Sequence, residues 1–94
     1  MANKLKIQLN NGKEIPIRYK ALEDAEGWCY NPNKKNARIY VDPRLKKRRK
    51  LNVLIEEITH AFFWDEPEYK VRKFSSQLGK IIYNQFLTKE DRSQ

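Results

Sequence analysis

The sequence predicts an α+β domain, a small antiparallel sheet of three to four strands followed by two packed helices. Three observations predict it. Apolar and polar residues alternate in short runs as far as Val41, apolar residues recur at the helical period from Leu51 onward, and turn-forming clusters separate the runs. The 94 residues suit one small domain, expected over 1–88, with a polar C-terminal tail over 89–94.

The elements follow in order. Lys4 to Leu9 places Leu5, Ile7 and Leu9 on one side and Lys6 and Gln8 on the other, and Asn10-Asn11-Gly12-Lys13 supplies a turn. Ile15, Ile17 and Tyr19 resume the alternation, so the two runs make a hairpin. Pro16 cannot donate a ladder hydrogen bond, which places this second strand at an edge around Pro16. Ala21 to Gly27 is acidic and reads either as a helical turn or as a loop. Trp28-Cys29-Tyr30 is extended, Asn31-Pro32-Asn33 turns the chain, and Ala37, Ile39 and Val41 form the last strand before Asp42-Pro43.

From Leu51 to Asp65 the chain reads LNVLIEEITHAFFWD, its longest apolar run, with Leu51, Leu54, Ile55, Ile58 and Phe62 on one helical stripe. Val53, Phe63 and Trp64 make the other side apolar too, so this helix is expected to pack on both faces. Pro67 and the acids around it suit the start of a second helix, in which Val71, Phe74, Leu78, Ile81, Ile82 and Phe86 form the inward stripe.

Composition narrows the function classes. The chain is 39% hydrophobic and 34% charged with a mean hydropathy of −0.91, a thin core under a charged shell. A single cysteine, Cys29, excludes an internal disulfide and reads as a small buried hydrophobe, so an intracellular protein is expected. No apolar run has the length of a membrane span, and no signal peptide is expected. The net charge is +8, but Arg44, Lys46, Lys47, Arg48, Arg49 and Lys50 supply six of the 20 basic residues, leaving 14 positive against 12 negative charges. This run is a candidate for non-specific contact with nucleic-acid phosphates, against the commoner reading of a solvated charge run. Trp28, Tyr30 and Tyr40 read as packing residues rather than base-stacking ones.

Glu56, Glu57 and His60 interrupt the central helix, and charged groups leave water only when paired, hydrogen-bonded or bound to metal. Residues four apart share a helix face, so Glu56 and His60 can grip one ion while Glu57 deprotonates an attacking water. Glu68, at the edge of the second helix's inward stripe, is the preferred third ligand; Glu66, Asp65 and Glu26 are weaker choices. The bland alternative is a hydrogen-bonded core histidine or a Glu56–His60 ion pair worth a few tenths of a kcal/mol.

The stretch LNVLIEEITHAFFWDEPEYKVRKFSSQLGKIIY resembles the helical half of small phage-encoded zincin-like proteins, of the minimal gluzincin or SprT-like metallopeptidase type. GWCYNPNKKNARIYVDPRLKKRRK is similar to the strands and basic segment that precede that helix, so the resemblance covers roughly residues 27 to 83. It implies that Glu57 is the catalytic glutamate, His60 a zinc ligand and Glu68 the downstream acid, while Glu56 stands where the first histidine of the His-Glu-x-x-His pattern stands. It also implies a protein acting in the cytoplasm of an infected bacterium. The altered donor set carries more negative charge and suits manganese, magnesium or calcium comparatively better than a two-histidine site does. Three readings therefore stand: a Zn2+ or other divalent-metal hydrolase, an inactive scaffold with or without metal, and an accessory protein. The last would bind a host or virion protein, through the cleft or the Trp64 region, or nucleic acid through the basic run.

Overall fold

The computed structural model describes residues 4–87. The tail expected over 89–94 lies outside the described residues. Four strands, β1 (Lys6–Gln8), β2 (Glu14–Tyr19), β3 (Gly27–Cys29) and β4 (Ile39–Val41), precede two helices, α1 (Lys47–Phe62) and α2 (Glu68–Ile82), and a π-helical turn over Tyr83–Leu87 extends α2. This is the α+β order expected from the alternation patterns.

The sheet order is β1-β2-β4-β3. The β1–β2 and β3–β4 pairs are antiparallel hairpins, as expected. The central β2–β4 pair is parallel, so the sheet is mixed rather than wholly antiparallel. The reason is the path of the chain. After β2 it crosses to the far edge, returns there as β3, and reverses once more into β4, so β4 runs alongside β2 in the same direction. Alternation fixes which face a residue takes; it carries nothing about the direction of a neighbour.

β2 therefore lies inside the sheet rather than at its edge, while Pro16 itself has an unpaired side, as expected. Ile17 N donates to Leu5 O at 2.9 Å and Lys20 N donates to Val41 O at 3.0 Å, so odd residues of β2 address β1 and even ones address β4. Pro16 turns its missing donor to the β4 side, one residue short of the first β2–β4 pair, Ile17 with Ile39. No ladder bond is lost there. The β1–β2 turn uses Gly12 at φ +90°, a conformation open to glycine at little cost, and Asn11 Oδ1 accepts from Lys13 N.

Ile15, Ile17, Ile39 and Val41 form the buried face of the sheet, and Val53 and Ala61 of α1 pack into it with Leu54 and Ile58 at the margin. Asp42, buried at the end of β4, accepts from Leu22 N, Arg44 N and the Arg44 guanidinium, which ties the 20–26 loop to the start of α1. Those bonds hold its carboxyl well below the usual carboxylate range.

α2 packs on α1 rather than on the sheet, so α1 is covered on two sides as expected, although of the residues that predicted it only Val53 is buried and Phe63 and Trp64 lie exposed beyond the helix end. The contact surface of α2 differs from the expected stripe. Val71, Ser75 and Gly79, four residues apart, form the buried seam. A Cβ on Gly79 would come within 1.8 Å of Asn52 Oδ1, so the absent side chain is what lets the helices approach. Of the residues expected to point inward, Phe74 (53% exposed), Leu78, Ile81 and Phe86 instead face outward. Close packing through small side chains turns the larger ones aside. Among the described residues no helix is long and apolar enough to cross a membrane.

Candidate metal centre

Glu56, Glu57 and His60 all lie in α1, and Glu68 is the first residue of α2. Four residues, Phe63 to Trp64 to Glu66, turn the chain between the helices before Pro67, with Phe63 N bonded to Thr59 O and Glu66 N to Phe63 O. Pro67 suits a first helical position but occupies the N-cap of α2, one residue earlier. So short a connection folds α2 back along α1, bringing Glu68 over the last turns of that helix. A carboxylate there is also stabilised by the positive end of the α2 dipole.

One ligand atom each from Glu56, His60 and Glu68 lies within 4.8 Å of the other two. His60 Nε2 is 2.9 Å from Glu68 Oε1. These are the three ligand candidates preferred from the sequence. The weaker ones are elsewhere: Glu26 pairs with Arg49, Glu66 pairs with Lys70 at 3.7 Å, and Asp65 lines a separate cavity beside Asn33 and Phe62. Two carboxylates and an imidazole are a donor set suited to a divalent cation, and their spacing is short enough for one ion to be shared.

Electrostatics support the same fit. Burial, then the close approach of Glu68, raises Glu56 above the usual carboxylate range, with Arg72 and His60 pulling the other way. Two acids this close repel unless a cation lies between or beside them. Arg72, one turn after Glu68, serves as that cation here: its Nε is 2.9 Å from Glu68 Oε2 and 3.6 Å from Glu56 Oε2. Sequence reasoning missed Arg72. The signal was present as the Glu68–Arg72 spacing of four on a helix.

Glu57 is buried beside this group and opens on a cleft of about 300 Å3 that His60, Glu68, Trp28 and Trp64 also line. Burial, reinforced by the charges of Glu56 and Glu68, pushes its carboxyl up to about 8. A group poised near neutrality can both accept and return a proton. Gly27 makes room for it: a Cβ there would sit 2.5 Å from Val53 Cγ1 and 2.8 Å from Glu57 Oε2, so the glycine sets how closely β3 approaches α1. Cys29 lines the cleft too, and burial with the Glu57 charge pushes its thiol up to about 12, which keeps it protonated and unsuited to nucleophilic attack.

The basic run is partly engaged within the fold. Arg44 is bound to Asp42, Arg49 to Glu26, and the Arg48 guanidinium lies 5.4 Å from the centre of the Tyr83 ring. Lys46 caps α1 and Lys47 to Lys50 form its first turn, with no acid to offset the dipole. On the sheet, Trp28, Tyr30 and Tyr40 contact one another edge-on, and Arg38 stacks over Tyr30 at 3.9 Å. They do pack together, while Trp28 also reaches the cleft. No protein-family model, curated protein or solved structure matches the chain.

Proposed function

We propose that this protein is a metallopeptidase-like, divalent-metal-binding protein in which Glu56, His60 and Glu68 hold the ion and Glu57 is the general base. The observation that carries the reading is the convergence of those three side chains, from two helices, beside a buried carboxyl that shares a cleft with His60 and Glu68. The bound ion would supply Lewis-acid polarisation of a carbonyl and acidification of water. Glu57 would take a proton from water on one of its carboxyl oxygens and return it to the leaving amine. Glu57 is largely withdrawn from solvent in the cleft wall, and His60 holds Glu68 in place through the 2.9 Å contact. Two carboxylate ligands reduce the acidity an ion confers on water, so slow turnover is expected, with manganese competing effectively against zinc. The resemblance adds a phage-encoded protein acting inside an infected bacterium.

Metal analysis of the purified protein tests the centre. One zinc or manganese per chain is expected, lost in Glu68→Ala and His60→Ala; a folded protein that takes up neither ion overturns the reading. Glu57→Gln then tests the base. It should keep the metal and lose at least about a hundredfold in peptide hydrolysis, and unchanged turnover would remove Glu57 from that role.

A further inference from the structure

A second cavity, about 400 Å3, adjoins the metal centre along the groove between α1 and α2. Glu56 and Arg72 border it, linking it to the ligand cluster. Arg49 and Lys73 add two further cations, and Ser75, Ser76 and Asn52 supply neutral polar groups. Ser75 is 2% exposed and its Oγ has no hydrogen-bond partner; Asn52 Oδ1 is likewise buried and unpartnered. Asn52 Oδ1 lies against Gly79 in the helix seam and is an acceptor, so of the two only the Ser75 hydroxyl could donate to an anion, and the anion-binding character of the cavity rests on its cations.

Arg72 pairs with Glu68 and Glu56, and Arg49 pairs with Glu26. Lys73 has no carboxylate partner among the described residues. A divalent ion held by Glu56, His60 and Glu68 would take over the carboxylates that Arg72 neutralises, and its charge would repel the guanidinium. The Arg72 side chain is 69% exposed, so nothing packs it in place. Arg72 already borders the cavity with Lys73, and a bound ion would turn its guanidinium further that way.

We propose that this cavity is an oxyanion-binding site made competent by the metal, with Arg72 and Lys73 receiving a phosphate or carboxylate group of the molecule bound at the centre. The inference rests on the proposed metal centre and extends it to a substrate class: an acidic peptide or a phosphorylated one. Arg72 would thus have two roles, a counter-ion to Glu56 and Glu68 and an anion-binding arm once an ion takes those carboxylates. A planar, permanently charged fork suits both partners.

Reciprocal coupling follows: an anion must tighten metal binding by the factor by which metal tightens anion binding. The test measures zinc affinity with and without sulfate, which stands in for a phosphate ester, and with and without acetate, which stands in for a side-chain carboxylate. Saturating anion should tighten zinc by about tenfold, and the more effective of the two identifies the chemistry recognised. Lys73→Ala should keep the anion-free zinc affinity and lose the coupling. Arg72→Ala should bind zinc more tightly in anion-free buffer, having lost the competing cation, and show no coupling. Zinc binding that neither anion changes overturns the cavity while leaving the metal centre standing. Coupling that survives in both variants places the anion on the ion itself and overturns it too. Absence of zinc binding in every buffer overturns both inferences.

Discussion

The two sides of α1 are built differently. Toward the sheet, Val53 and Ala61 meet Ile15, Ile17, Ile39 and Val41, aliphatic side chains almost wholly withdrawn from water. Toward α2, the contact is the seam of Val71, Ser75 and Gly79, with two polar atoms left unpartnered and Phe74, Leu78 and Ile81 facing outward. The first interface supplies most of the apolar burial; the second supplies close approach. The division teaches that fold and site depend on different contacts. Glu57 and His60 are fixed by the helix that the sheet anchors, whereas Glu68 and Arg72 reach the centre only because α2 lies close on its seam.

That contrast is most strongly tested at Ile39, which is fully buried between α1 and the sheet. Ile39→Ala should cost about 2–5 kcal/mol in urea denaturation, a large fraction of the stability of so small a domain. Gly27→Ala acts on the same side, forcing β3 away from Val53 and Glu57, and should cost about 1–3 kcal/mol while disturbing the cleft.

Glu57 gives a pH signature of comparable size. Its carboxyl titrates at about 8 in the folded chain against an ordinary 4.5, so the folded state keeps a proton that the unfolded state releases. Stability from this group is complete below about 4.5 and falls as pH rises through 8. In chelator, Glu57→Gln should flatten that decline and leave the variant roughly 1–3 kcal/mol better off than the parent above pH 8. Urea midpoints across the range check it, and an unchanged slope would mean that Glu57 is ionised in the folded chain.

The smallest change in stability is expected at Gly79, on the other side. Gly79→Ala displaces the Asn52 amide, but alanine recovers about 1 kcal/mol of helix propensity, so the net cost should be under about 2 kcal/mol. Zinc affinity should nevertheless fall at least about tenfold, because a shift of α2 moves Glu68. A Gly79→Ala protein with unaltered metal affinity would show that the seam does not position the site.

Much of this was legible in the residues. The alternation of Ile15 and Ile17, and of Ile39 and Val41, marked buried strand faces, and the spacing of Glu56 and His60 marked a shared helix face. Glu68 was singled out because it borders the inward stripe of α2, and it does lie against His60. The stripe itself was misjudged beyond Val71. Hydrophobic periodicity weights large residues, so it pointed to Phe74, Leu78 and Ile81, while the packing used Ser75 and Gly79, whose value lies in their small volume. Arg72 acquires its role only through the two acids beside it.

The sequence by itself determined what is local: the order of strands and helices, the faces their residues take, and the placement of Glu56, Glu57 and His60 around one helix. These follow from backbone periods that any few consecutive turns or strand residues express. Tertiary structure alone decided the parallel β2–β4 pairing, the approach of β3 to Glu57 at Gly27, the contact of Glu68 with His60 and the burial that holds a proton on Glu57. Each depends on groups distant along the chain, and their proximity is set by which surfaces can approach most closely.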